Sequence, residues 1–217
     1  MYALILVVLL AVLAIRASRI NSESPDDIPH LLGDKLGRLW SIAHVGLKEN
    51  KFLRAEKALL TILRIDEKNT AAYNRLGILY AKQREYKDAI DCFEIASSIE
   101  PSASSLHNLG LIYYETGSYE KAMSAFEMAL GLEDSLAARH IAYAKVLEKV
   151  GNDKKMIEEL ERAAELEPNR ETYGLLLRAF ESRDMPEEAK VIQKKLNNVI
   201  VPSGKTHRVL RPKRVIM

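Results

Sequence analysis

The side chains of this 217-residue chain that could support catalysis or bind a metal are few, and their spacing fits neither task. The single cysteine, Cys92, excludes an internal disulfide and a multi-cysteine metal site, and it favours a reducing compartment. No histidine shows metal-ligand spacing or lies near a nucleophile in a recognisable arrangement, and there is no glycine-rich phosphate loop. We therefore predict no enzyme activity, no catalytic or metal-binding residue and no cofactor. The five histidines are His30, His44, His107, His140 and His207.

Two stretches of the chain repeat each other at a distance of 33 residues. Self-similarity at a fixed period is typical of repeat arrays, in which stacked units form a continuous core and an extended binding surface. The sequence therefore predicts a binding protein. The six pairs of identical residues are Leu76 and Leu109, Gly77 and Gly110, Tyr80 and Tyr113, Ala89 and Ala122, Phe93 and Phe126, and Ala96 and Ala129.

The same phase extends beyond these two stretches to give five units. A residue near the start of each second helix recurs at spacings of 34, 33, 34 and 33 residues, and it is alanine in every unit except the fourth, which has Met156. Pro101 and Pro168 fall where second helices must end, because proline cannot continue a helix. The array is predicted over residues 36–200, with units at 36–69, 70–102, 103–136, 137–169 and 170–200.

These residues closely resemble the tetratricopeptide repeat (TPR) family, whose motif is W-x-x-L-G-x-x-Y followed by A, F, A and P. Tyr73 takes the place of the tryptophan, and the outer units match less well; the fifth, for example, has Gln193 in place of the large residue. The resemblance implies an all-α solenoid of about five helical hairpins in a right-handed superhelix. It also implies that Gly77 and Ala89 allow the two helices of a hairpin to approach closely, while large residues such as Tyr80 and Phe93 pack around them.

In this family the first helix of each unit lines a concave groove. The residues at groove-facing phases include aromatic, aliphatic, amide and cationic side chains, a mixture that suits an extended or helical peptide. A clamp for a terminal carboxylate is disfavoured, because the cation and asparagine expected in the first unit are replaced by Trp40 and His44, although Asn108 has a clamp-like phase. The candidate groove residues are Trp40, His44, Asn74, Ile78, Lys82, His107, Asn108, Leu111, Tyr114, Lys145 and Arg178.

The N-terminus is strongly apolar. Residues 1–15 have no polar side chain other than the Tyr2 hydroxyl, and about twenty helical residues span the roughly 30 Å of a bilayer core. A signal peptide requires basic residues before its apolar core, but no charged side chain precedes this stretch. Arg16 and Arg19 instead follow it. We therefore expect residues 1–20 to form one transmembrane helix, with the N-terminus outside and the array in the cytoplasm. Export through a cleaved signal and a buried helix remain alternatives.

Two polar segments flank the array. Residues 21–35 begin with an acidic stretch that contains Pro25 and Pro29, and we predict a linker there. Residues 201–217 form a basic tail whose charge contrasts with a net charge of only +2 for the whole chain. This tail is either an extension without a role of its own or a site for anionic lipid or RNA. Its cations are Lys205, Arg208, Arg211, Lys213 and Arg214.

Together these features predict a membrane-anchored scaffold or adaptor that binds peptide or helical segments of partner proteins through a TPR groove. No small-molecule substrate is expected. One alternative is an exported or periplasmic TPR protein in secretion or envelope assembly. Another is an adaptor whose basic tail binds RNA or anionic lipid. Partner identity and oligomeric state do not follow from the residues.

Overall fold

The computed structural model describes residues 27–200, with the side chains of residues 33–199. All regular secondary structure in this range is α-helical. Successive helices pair into five hairpins, which divide between two compact units, α1–α4 and α5–α10. The ten helices, α1 to α10, are Asp27–Lys48, Phe52–Ile65, Thr70–Gln83, Tyr86–Ile99, Ala103–Glu115, Tyr119–Leu132, Ala137–Val150, Asp153–Leu166, Arg170–Glu181 and Pro186–Ile200.

The first helix begins earlier than the composition predicts. It starts at Asp27, inside the stretch 21–35 that we expected to be a linker. Pro29 lies in its first turn, where the backbone N–H groups have no partner within the helix, so the missing donor breaks no helical hydrogen bond. Proline is therefore compatible with helix at this position and does not mark a linker.

Each hairpin reverses direction at one residue with positive φ. Glycine adopts this backbone region without a steric penalty, and Asn and Asp tolerate it better than most residues. Arg84 lacks both advantages, so its hairpin accepts a modest conformational cost at the turn. The five residues, which recur with the period of the repeat, are Asn50, Arg84, Gly117, Gly151 and Asp184.

The first helices of three hairpins start at a side-chain cap. Asn69 accepts a hydrogen bond from the Ala72 N–H at 2.9 Å, and Ser102 accepts one from the Ser105 N–H at 3.1 Å. Asn169 forms a full capping box with Thr172. Helix α7 instead follows Leu136, which cannot cap. Helix α7 therefore lacks the side-chain cap found at α3, α5 and α9.

Glycine–phenylalanine pairs set the spacing inside two hairpins. A Cβ added to Gly77 would lie 2.6 Å from the Phe93 ring, and one added to Gly110 would lie 2.8 Å from the Phe126 ring. The sequence predicted a close approach at these glycines, and the structure shows that phenylalanine is what approaches. In the last hairpin the corresponding residues are Leu177 and Gln193, and Gln193 is exposed.

Candidate partner-binding site

In the compact unit α1–α4 the candidate residues lie on the first helices of its two hairpins, α1 and α3. Trp40 is half-buried, and the guanidinium of Arg75 lies 5.2 Å from the centroid of its ring, a cation–π contact that fixes both side chains. The remaining candidates here are exposed at His44 and Lys82 and half-buried at Asn74 and Ile78. Aromatic, aliphatic and cationic groups are therefore available on these two helices.

In the compact unit α5–α10, His107 contributes to packing as well as to the surface. Its ring meets the ring of buried Phe126 edge-to-face, with centroids 5.5 Å apart. Its Nδ1 atom is buried and has no hydrogen-bond partner within the described residues. Burial lowers the pKa of His107, and the nearby charge of Arg139 lowers it further. Both effects favour the neutral form of the ring.

The other candidates of α5 offer a more open surface. Tyr114 is half-buried, and its ring lies 5.8 Å from that of Tyr119 on α6. Leu111 is 38% exposed, whereas Asn108 is half-buried. An aromatic ring and an exposed aliphatic side chain on one helix are suitable anchors for a peptide.

Lys145 and Arg178, from two different hairpins, line one cleft of about 310 Å³. Both cations are exposed, and neither forms an ion pair with another residue of the described range. Glu148 is the only acidic residue in the lining, and Ser182 adds a hydroxyl. The rest of the lining is Ile141, Ala144, Met156, Leu160, Leu175 and Ala179. The cleft therefore combines an apolar surface with an excess of positive charge.

A polar cluster holds α6 against the hairpin α7–α8. The Glu127 carboxylate accepts hydrogen bonds from the Tyr143 hydroxyl and from the Lys155 ammonium, each at 2.6 Å. The bond from Lys155, followed by that from Tyr143, lowers the pKa of Glu127. Burial, and then the bond to Glu127, raises the pKa of Tyr143 to about 12. Because all three groups satisfy one another, they act as structural contacts.

A second polar cluster holds the segment that leads into α7. Arg139 is 2% exposed and donates to the backbone carbonyl and the carboxylate of Glu133. The His140 ring bonds to the Glu159 carboxylate at 2.7 Å and to the Asp134 carbonyl oxygen at 2.8 Å. These contacts hold residues 133 and 134, just before the start of α7, against α7 and α8.

A family model described as tetratricopeptide repeat matches residues 68–133. Solved structures of the protein MamA share the fold: one is 22% identical, with a TM-score of 0.70, and the match covers 83% of this chain and 100% of that chain. The fold is that of a tetratricopeptide repeat protein. MamA from Desulfovibrio magneticus is 17% identical, with a TM-score of 0.66 and coverage of 77% of this chain and 94% of that chain.

YrrB, a TPR protein with an unusual peptide-binding site, also has this fold. It is 18% identical to this chain, with a TM-score of 0.61, and the match covers 72% of this chain and 82% of YrrB. No curated protein sequence matches the chain. The prediction of an all-α TPR array of five hairpins is therefore confirmed for the described residues.

Sequence reasoning missed several residues of these TPR surfaces. Arg75 contacts Trp40 but was not among the candidates, although Asn108, which occupies the same repeat phase 33 residues later, was selected. Ile141 lines the cleft and has the phase of Trp40, Asn74 and His107, so the repeat could have identified it. Glu148 has the phase of Tyr114, 34 residues earlier, and Leu175 has that of Asn108, 67 residues earlier, so the repeat could have identified these two as well.

Several predictions concern features outside the described residues. The expected transmembrane helix at 1–20 and the basic tail at 201–217 lie beyond residues 27–200. None of the helices α1–α10 combines the length and apolar character needed to cross a membrane. Within residues 27–200 there is also no group of three or more His, Cys, Asp or Glu side chains that could hold a metal ion.

Proposed function

We propose that this chain is a membrane-anchored scaffold or adaptor whose TPR array faces the cytoplasm and binds peptide or helical segments of partner proteins. Binding uses the groove-facing side of the first helices of the hairpins. The partner segment carries apolar side chains next to at least one carboxylate. Residues 1–20 provide the anchor.

The main support for this proposal is the cleft lined by Lys145 and Arg178. Two cations without an ion-pair partner in the described range flank a largely apolar floor. An apolar side chain of a peptide can bury its surface there, while a neighbouring carboxylate accepts charge-assisted hydrogen bonds from the cations. Because Glu148 also lines the cleft, a carboxylate should bind on the side of Lys145 and Arg178 away from this acid.

The pair formed by Trp40 and Arg75 supports the same function in the first unit. Tryptophan and arginine are enriched among the residues that dominate binding energy, and the two side chains of this pair already contact each other. Preorganisation reduces the entropy lost on binding. The peptide-binding site of YrrB supports a peptide as the ligand class, since that protein has the same fold.

The membrane anchor and its orientation rest on the sequence. Residues 1–15 are apolar, and basic residues follow the stretch on its C-terminal side. A reporter fused after Met217 tests this orientation. A cytoplasmic reporter should be active, whereas an active periplasmic phosphatase would support export of the array and overturn the proposed topology.

The groove is tested by crosslinking in the full-length protein. Photoreactive residues at Tyr114 and Ser182 should capture a partner segment, to be identified by mass spectrometry. The double variant Lys145→Glu, Arg178→Glu should reduce capture at Ser182 by about tenfold or more, because it reverses both cations of the cleft.

The matched control is Lys87→Glu, which reverses an exposed cation on α4 outside the cleft. It should leave capture unchanged. No specific crosslink from either position, or capture that survives the double reversal, would contradict the proposed groove.

A further inference from the structure

The first hairpin has an open apolar groove on the side away from α3. This groove has a volume of about 450 Å³, and within the described range only α1 and α2 line it. Leu53 on its rim is 65% exposed, the largest exposure of a large apolar residue among the described side chains. We call this surface the N-terminal face. It consists of Leu39, Ile42, Leu53, Arg54, Lys57, Ala58 and Thr61.

In the second hairpin, the residue that corresponds to Ile42 packs against the preceding second helix. Leu76 on α3 corresponds to Ile42; it is 2% exposed and belongs to the apolar cluster that includes Ala58 and Ile62 of α2. Tyr80, one turn later, donates to the Glu56 carboxylate of α2 at 2.9 Å. A helix with an apolar face and a glutamate therefore covers the corresponding surface of the second hairpin.

The hairpin α7–α8 shows the same arrangement with a cation. Lys155 has the repeat phase of Arg54, 101 residues later, and Tyr143 has that of Ile42. Both donate to Glu127 of the preceding helix α6, and the Tyr143 ring lies 6.2 Å from that of Phe126 on the same helix. The N-terminal face thus retains the apolar position and the cation of a surface that receives an acidic amphipathic helix.

We propose that the N-terminal face is a docking site for an acidic amphipathic helix of a partner protein, seated as α6 is seated on α7–α8. Its apolar side chains cover Leu39, Ile42 and Leu53. Its carboxylates bond to Arg54 and Lys57, whose side chains make no ion pair with another described residue. Most of this surface lies on α2, the second helix of the first hairpin, whereas the groove-facing candidates lie on first helices. The proposal therefore does not depend on the proposed function.

Charge complementarity favours a partner over a second copy of this chain. In a second copy stacked in register, α10 would take the place of α6, and Lys194 has the repeat phase of Glu127, 67 residues later. Lys194 would then face Arg54, and Lys190 and Lys195 lie nearby on the same helix. Like charges brought together in an interface oppose association.

The test uses the chain's own α6 as a probe. A fluorescent, hydrocarbon-stapled peptide with the sequence of residues 119–132 presents Glu127 on a preformed helix, since an isolated helix of this length is marginal in water. Its binding to the full-length protein is followed by fluorescence anisotropy. Arg54→Glu should weaken binding about tenfold, because one hydrogen-bonded charge pair becomes a repulsive one.

A charge swap makes the test specific. A peptide with Glu127→Lys should bind the Arg54→Glu protein more tightly than it binds the unmodified protein. Lys87→Glu, which reverses an exposed cation on α4, should leave the affinity for the original peptide unchanged. Equal binding to the unmodified and Arg54→Glu proteins, or no recovery in the swapped pair, overturns the proposal.

A photoreactive residue at position 53 identifies the occupant in cells. Crosslinks to an acidic helix of another protein that disappear in Arg54→Glu support the proposal. Crosslinks to a second copy, or to another segment of the same chain, show that this face is already occupied and overturn it. The groove is tested at Tyr114 and Ser182, so the two ideas fail independently.

Discussion

The two compact units share one hairpin design but differ in how their hairpins are joined. In α1–α4 the contact between hairpins combines a large apolar cluster with the bond from Tyr80 to Glu56 and the cation–π contact between Arg75 and Trp40. In α5–α10 the carboxylate of Glu127 receives two donors, and Arg139 is almost fully buried. The second unit thus uses polar contacts at positions where the first relies on alanine and leucine.

This difference follows from the loss of motif residues in the fourth hairpin. His140 occupies the position of Tyr73, and Met156 occupies the position of Ala89. The His140 ring bonds to two oxygen acceptors, so a polar side chain is accepted in a site that is 5% exposed. A degenerate repeat can therefore keep its place when new hydrogen bonds satisfy the groups that it buries.

The largest effect should come from filling the tight contact of the first unit. Gly77→Leu places side-chain atoms where the Phe93 ring lies, and we expect it to destabilise that unit by about 3 kcal/mol. Thermal unfolding followed by circular dichroism measures this change. Gly174→Ala is the control, because a Cβ there meets no atom within 4 Å. An unchanged midpoint for Gly77→Leu would mean that the hairpin can open at no cost.

A smaller effect should distinguish the polar contacts of the two units. Glu127→Ala leaves the hydroxyl of buried Tyr143 and the ammonium of Lys155 without their acceptor, at a cost of about 1–2 kcal/mol. Glu56→Ala removes one bond to the half-buried Tyr80, at a cost of less than about 1 kcal/mol. Urea unfolding of both variants provides the measurement. Equal losses would show that the polar cluster of α5–α10 contributes no more to stability than the single bond from Tyr80 to Glu56.

The smallest effect concerns the pH dependence of the second unit. Because the folded state lowers the pKa of His107 from its ordinary value of 6.5, the unfolded chain binds the proton first as pH falls. Stability from the neutral ring is therefore present above pH 6.5 and is lost as pH decreases from there towards the lowered pKa. His107→Asn, which introduces the residue found at Asn74 in the first unit, should reduce this dependence in urea titrations between about pH 7 and 5.

The exposed residue His44 provides the control for this titration. His44→Asn should leave the pH dependence of stability as it is in the unmodified protein. A His107→Asn variant with the original dependence would show that proton uptake at His107 does not contribute to unfolding in acid.

Repeat phase predicted most of the fold because it depends on short-range chemistry. Proline stops, small residues and large apolar residues recur along the chain, so the hairpins around Gly77 and Gly110 could be located from sequence. The start of α1 could not, because Pro29 is compatible with both a linker and a first helical turn. Phase also cannot show which side chains meet across helices.

The candidate site shows the same limit. Phase placed Lys145 and Arg178 on equivalent faces, and the structure adds that one cleft contains both. It did not reveal that Arg75 covers Trp40 or that His107 packs on Phe126, since these contacts join residues of different helices. The polar clusters around Arg139 and Glu127 were missed because they arise where the motif is lost.

The recurring positive-φ residue has a consequence for how such a chain can change over evolutionary time. Each hairpin carries its own reversal point, so its turn does not rely on residues contributed by its neighbours. A duplication or deletion of a whole repeat length preserves the spacing of these reversal points, whereas a change of any other length disrupts it. Genetic rearrangement can therefore lengthen or shorten the array in complete modules.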